Sequence, residues 1–313
     1  MKNGAFFRFL GYLVAGLYVA AVEYFIGWES LLSVWAEIPA PPMLSAFGCV
    51  IASYFVRGFR LHQYFRQETK GQYLKSLSIV LNHNAWNNLL PARLGEVSLP
   101  LLLNRAFQIS GLSSVAALLW FRLLDVFVLL SLAGLSASIY FFSPGSPLLM
   151  ILGLLVSILF GTLPIFATLI INQIRPRFKT KSAPEESESR MIRIKRKLID
   201  SLPTRSGILF SSLILTWLNW VLKLFALALV FSVLSDLSFL YGVFAILGGE
   251  LTSILPLHGP GGLGTYAAGM LISLQFLGIQ SDSILSAAAN AHLFLLSTAL
   301  FGGGFGMILK KLR

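Results

Sequence analysis

Apolar stretches of about 20 residues recur along this chain, each long enough to cross roughly 30 Å of hydrocarbon. A spanning segment must satisfy its own backbone polar groups, which leaves helices or closed barrels, and runs of this length are helices. The balance of residues agrees. Of 313 residues, 56% are hydrophobic and only 12% are charged, against about 25% charged in soluble domains. We therefore expect an all-α polytopic membrane bundle forming a single transmembrane domain over residues 1–313. The net charge of +11 fits the positive-inside bias of a membrane protein better than nucleic-acid binding. A single cysteine, Cys49, in an apolar run gives no disulfide, and no His or Cys pair has metal spacing, so no cofactor is expected.

Charge asymmetry sets the topology. Lys2 and Arg8 precede the apolar run Phe9–Ile26, too long for a signal-peptide core and without a small-residue cleavage site, so it reads as a retained helix. That helix, 9–28, is followed by a connection from Glu29 to Pro42 without Lys or Arg, expected outside. A second helix, 43–59, returns to a stretch with Arg57, Arg60, Arg66, Lys70 and Lys75. Further spans are expected over 113–142, 148–174, 208–234 and 283–309. The connector 175–205 holds ten of the 24 Lys and Arg residues, which places it in the cytoplasm. Within it KTKSAPEESESR reads as flexible, and MIRIKRKLID as a topology signal or a surface-lying basic segment. Both termini are expected in the cytoplasm, with the protein in the inner membrane.

Two stretches, 72–111 and 238–280, begin and end on the same side and so must dip in and return. Each carries helix breakers at its middle, NNLLPARLGE in the first and LPLHGPGGLGTY in the second. The fold expected is about six full spans plus two opposed re-entrant hairpins, with halves of about 1–142 and 148–309 related as an inverted repeat.

The polar residues set in oily surroundings are the candidates for function. Asn87, Asn88, Arg93 and Glu96 lie at the first break, and Arg93 and Glu96 are spaced to pair on a helical backbone. Arg122 and Asp125 lie three apart inside AALLWFRLLDVFVLL. Charge at that depth costs at least about 2.5–3.5 kcal/mol on insertion scales, so they must face inward. They pair with each other or with the first group, as a head-group site or as a lock between helices. Lys223 and Glu250 are the other deep charges, free to pair together or to leave Lys223 for an anionic head group. His258, Gly261, Gly262 and Gly264 at the second break either present backbone N–H groups to an anion or form a tight turn. Asn290 and His292 read as packing residues, and Gly302–Gly304 as a place of close helix approach. No nucleophile with a base and no pair of acids stands out, so no enzyme is expected.

Three motifs in this order, N-x-x-L-P-A-R-x-G-E from Asn87, R-x-x-D from Arg122 and L-P-x-H-G-x-G-G-x-G-T-Y from Leu255, resemble the lysylphosphatidylglycerol synthase transmembrane-region family. The resemblance covers nearly the whole chain. It implies a bundle similar to the flippase domain of MprF-type proteins, whose stand-alone relatives are linked to hopanoid, dolichol-phosphate and other lipid pathways. Arg93, Glu96, Arg122 and Asp125 fall on matched motif positions. The third motif usually continues to a glutamate, and Ala267 stands there, so that role is either lost or moved to Glu250. The aminoacyl-transferring domain is not expected, since the sequence ends at Arg313.

The expectation is therefore a flippase-like transporter of an anionic phospholipid or polyprenyl-phosphate lipid. The alternatives are an accessory subunit that presents lipid to a partner lipid-processing enzyme, and a lipid-modifying transferase. Neither substrate, direction, energy source nor oligomeric state is legible.

Overall fold

A computed structural model describes residues 27–142, 146–180, 206–253, 264–280 and 283–311, together with Leu13, Gly16, Ala20, Glu23 and Tyr24. Among them regular structure is helical throughout, without strands. The helices are α1 (Trp28–Glu37), α2 (Ala40–Tyr64), α3 (Arg66–Thr69), α4 (Tyr73–Leu89), α5 (Ser98–Phe107), α6 (Gly111–Tyr140), α7 (Pro147–Thr180), α8 (Ser206–Ser235), α9 (Phe239–Thr252), α10 (Thr265–Phe276) and α11 (Ser283–Lys311). A 3-10 segment, Pro91–Val97, joins α4 to α5.

Five of the described helices are long and apolar enough to cross a membrane: α2, α6, α7 over Pro147–Ala167, α8 over Gly207–Ser235, and α11. The expected first span, 9–28, falls almost wholly outside the described residues, as do 181–205 with both connector segments. The connection at 29–42 was expected only to lie outside, and α1 occupies most of it. WESLLSVWAE holds no breaker and has an acid, Glu29, in its first turn, where the helix dipole favours it. The helix expected to stop at 174 continues to Thr180, so the basic connector starts as helix.

Local chemistry explains the boundaries. Ser110 caps α6, its hydroxyl accepting from the Ser113 N–H at 3.1 Å. Lys70 and Gly71 take left-handed conformations (φ 44 and 79) and turn the chain between α3 and α4. Pro91 has no N–H to continue α4 and opens the 3-10 segment.

The chain forms two compact units. The first comprises Met1–Phe55, Val80–Ser98 and Asn219–Arg313, the second Val56–Ile79 and Leu99–Leu218. Their boundaries fall inside α2, α4, α5 and α8. In the first unit α9 packs on α10, α10 on α11, and α11 on α1, around Phe231, Ile246, Met270 and Leu274. Small residues set the spacing. A Cβ on Gly248 would stand 2.3 Å from the Gly269 carbonyl, and one on Gly303 2.6 Å from the Ala85 Cβ. Gly302 similarly faces Leu81 and Tyr54, whereas Gly304 meets nothing within 4 Å. Two of the three expected close-approach glycines therefore have that role.

In the second unit α6 lies against α7. A Cβ on Gly134 would meet the Gly153 carbonyl at 2.7 Å, and the Ser131 hydroxyl donates to the Ser157 carbonyl at 2.6 Å. In lipid, where apolar burial offers little driving force, such close contacts and hydrogen bonds hold helices together. Only 11% of the apolar window of α7 is buried in protein, against 56% for α6. Most of α7 is left for contact with hydrocarbon.

Candidate functional site

The first re-entrant stretch is built as helix, break and helix: α4, the 3-10 segment and α5. Its tip belongs to the first unit. Gly95 folds the segment back against α4 so tightly that a Cβ would lie 2.4 Å from the Asn87 Cα, which is why the motif needs glycine there. His83 Nδ1 lies 2.9 Å from the Ser98 hydroxyl, closing the two arms. Asn88 donates to the Asn84 carbonyl at 2.8 Å. Asn87 keeps a buried Oδ1 with no hydrogen bond among the described residues. Glu96 is half-buried. Arg93 lies in the 3-10 segment, but its side chain is not among those described.

In the second of these stretches α9 and α10 are described, and residues 254–263, with His258, Gly261 and Gly262, lie outside the described residues. Gly264 precedes α10 at φ 82, a conformation that favours glycine. Gly248 lets α9 approach α10, and a Cβ on Gly249 would lie 3.1 Å from the Tyr266 ring. That approach carries the Tyr266 hydroxyl to Glu250, donating to Oε1 at 3.0 Å. Lys223 Nζ stands 2.7 Å from the same oxygen and 4.8 Å from the centre of the Trp220 ring. Tyr266 in turn packs edge-on against His292 at 4.9 Å. Of the two arrangements open to Lys223, the structure has the ion pair with Glu250. Asn290 is a packing residue as expected, fully buried, accepting from Trp35 Nε1 at 2.7 Å.

The second unit holds the other deep charge. Asp125 is 6% exposed and pairs with Arg60 at 3.1 Å. Arg60 also donates to the Thr216 hydroxyl at 2.6 Å, and its guanidinium lies 4.4 Å over the Phe121 ring. Its Nε is buried with no acceptor among the described residues. The charges of Arg122 and Arg57 also act on Asp125. Sequence reasoning expects Asp125 to pair with Arg122 or with the residues of the first break, whereas the ion pair the structure defines is with Arg60, which that reasoning misses. Arg60 reads as a cytoplasmic topology signal because it ends an apolar run. Its spacing of three from Arg57, on a helix that in fact runs on to Tyr64, is the signal that was there to find.

Five helices of spanning length, with charged groups buried at membrane depth in each unit, define a polytopic helical membrane protein. Among the described residues no group of His, Cys, Asp and Glu is arranged to hold a metal. The chain belongs to the lysylphosphatidylglycerol synthase transmembrane-region family, whose model matches residues 8–303. No curated protein and no solved structure matches it.

Proposed function

We propose that this protein moves an anionic lipid, a phospholipid or a polyprenyl phosphate, between leaflets of the cell inner membrane without covalent chemistry. The observation that carries the reading is the buried ion pair of Arg60 with Asp125 at 3.1 Å, a carboxylate on which the charges of Arg122 and Arg57 also act. Each guanidinium has five donors in a planar fork, so the group can take a phosphate while Asp125 keeps its own bond. Charges inside a spanning helix are costly and mark substrate paths by default. Membership of a family named for lipid synthesis supports a lipid as the cargo. Glu250 and Lys223 neutralise each other and act as a fixed internal pair.

The test is reconstitution into vesicles containing a trace of fluorescent phosphatidylglycerol or polyprenyl phosphate. In empty vesicles an added reductant bleaches the outer-leaflet half of the label. With active protein the protected half is bleached too, and Arg60→Lys, which keeps the charge but loses the fork, slows this by about tenfold, a loss of about 1.4 kcal/mol. No rate above empty vesicles for either lipid class sinks the reading. A stable complex with a lipid-processing enzyme and no transport alone would instead favour an accessory role.

A further inference from the structure

Arg60, Asp125 and Thr216 all belong to the second unit, one on each of α2, α6 and α8. All three are more than nine-tenths buried. A guanidinium facing a carboxylate in apolar surroundings makes its strongest contact through two parallel bonds, one to each oxygen. Arg60 does otherwise. Both of its hydrogen bonds leave from Nη1, which carries two hydrogens. One goes to Asp125 Oδ1 at 3.1 Å, and the other to the Thr216 hydroxyl at 2.6 Å. That hydroxyl is itself set to receive. Its own hydrogen is donated to the Ser212 carbonyl one turn back, at 2.6 Å, so toward Arg60 the oxygen can only accept. The Phe121 ring, 4.4 Å from the guanidinium carbon, lies one turn before Asp125 on α6 and blocks movement on that side. Tyr64, one turn after Arg60 on α2, closes edge-on against the same ring at 5.1 Å. The angle of the guanidinium is therefore set by two acceptors that pull on one nitrogen from different helices.

We propose that Thr216 is a positioning residue: by taking one Nη1 hydrogen it holds the Arg60–Asp125 pair to a single bond and keeps the rest of the guanidinium uncommitted. This rests on the lipid-transport reading and adds to it the residue that sets how firmly the arginine is locked. A pair closed by two bonds would tie α2 to α6 permanently, since either ion leaving would strand the other in a buried place. A single bond, with a neutral hydroxyl as the second acceptor, ties the helices less firmly and leaves the arginine able to exchange one anion for another. Arg60 Nε is buried here without an acceptor, so the uncommitted edge is closed off in this conformation. It becomes reachable only when α2, α6 and α8 part during transfer.

Thr216→Val keeps the shape of the side chain and removes the acceptor, so Arg60 should turn onto both oxygens of Asp125. Full-length protein carrying isotope-labelled arginine would be purified in detergent, and the Arg60 Nε–H signal found by nitrogen NMR from its loss in Arg60→Lys. That signal should shift in Thr216→Val and return in Thr216→Ser. Transport of fluorescent phosphatidylglycerol or polyprenyl phosphate in vesicles should fall about fivefold in Thr216→Val, the range of one hydrogen bond, and recover in Thr216→Ser. The unfolding midpoint of Thr216→Val in denaturing detergent should meanwhile stay level or rise, because the pair has gained a bond. A threonine with a merely structural role would lower that midpoint, since its loss leaves a buried donor unpaired. An unmoved Arg60 signal, a lowered midpoint or unchanged transport in Thr216→Val overturns the proposal. If wild type moves neither lipid, the transport reading falls, and the Arg60 signal and the midpoint still decide whether Thr216 sets the pair.

Discussion

Replacing Lys223 by methionine tests whether Glu250 depends on its partner. The pair is asymmetric: the Glu250 side chain is 4% exposed and that of Lys223 15%. Lys223→Met leaves a buried carboxylate with only the Tyr266 hydroxyl against it. Breaking a buried pair from one side typically costs about 3–5 kcal/mol. Glu250→Gln should cost less, about 1–2 kcal/mol, because Lys223 retains the Trp220 ring beneath it and a flexible stem that can reach a more polar level. The double variant Lys223→Met with Glu250→Gln removes both charges and should be close to Glu250→Gln alone. The cycle would then give a coupling of at least about 2 kcal/mol. The assay is reversible unfolding in mixed micelles, followed by circular dichroism across a denaturing-detergent series. If Lys223→Met loses under about 1 kcal/mol, or the two single losses simply add, the pair is not a buried ionic contact and the reasoning fails.

Other expectations follow from close contacts. Gly303→Ala should destabilise by about 1–3 kcal/mol, because its Cβ would lie 2.6 Å from that of Ala85, while Gly304→Ala, open on that side, should be neutral in the same unfolding assay. Gly95→Ala, with a Cβ 2.4 Å from the Asn87 Cα, should open the 3-10 segment and increase protease or hydrogen-exchange sensitivity at 91–97. Tyr266→Phe keeps the ring against Gly249 and removes one hydrogen bond to Glu250, a loss of about 1.5–3 kcal/mol for a charged acceptor by chemical unfolding.

Much of the fold was present in one dimension because a bilayer leaves few choices. The long apolar runs had to be helices, and α6, α8 and α11 lie within two residues of the expected limits at each end. The two breaks sit where Pro and Gly demanded them, with Pro91 opening the 3-10 segment and Gly264 preceding α10. Residues 29–42 read only as a connection without basic residues, although nothing in WESLLSVWAE opposes the helix α1.

The candidate site was legible only as a set of residues out of place. Depth alone marked Asp125, Lys223 and Glu250, since a charge in a spanning segment must have a partner. Which partner is a matter of contact between stretches far apart in sequence. Asp125 found Arg60, 65 positions earlier, and Glu250 found both Lys223 and Tyr266. Gly248 and Gly249 carry no signal of their own in the sequence, and only packing shows that these glycines admit α10 and bring the Tyr266 hydroxyl to the carboxylate. Hydrophobic length and helix breakers act along the chain, and so the sequence determined that this protein is a membrane bundle of helices, interrupted at Pro91–Val97. Ion pairs and close glycine contacts act across space over a few ångströms, and only the tertiary structure decided which charges are satisfied and which donors, Arg60 Nε and Trp120 Nε1 among them, have no acceptor among the described residues.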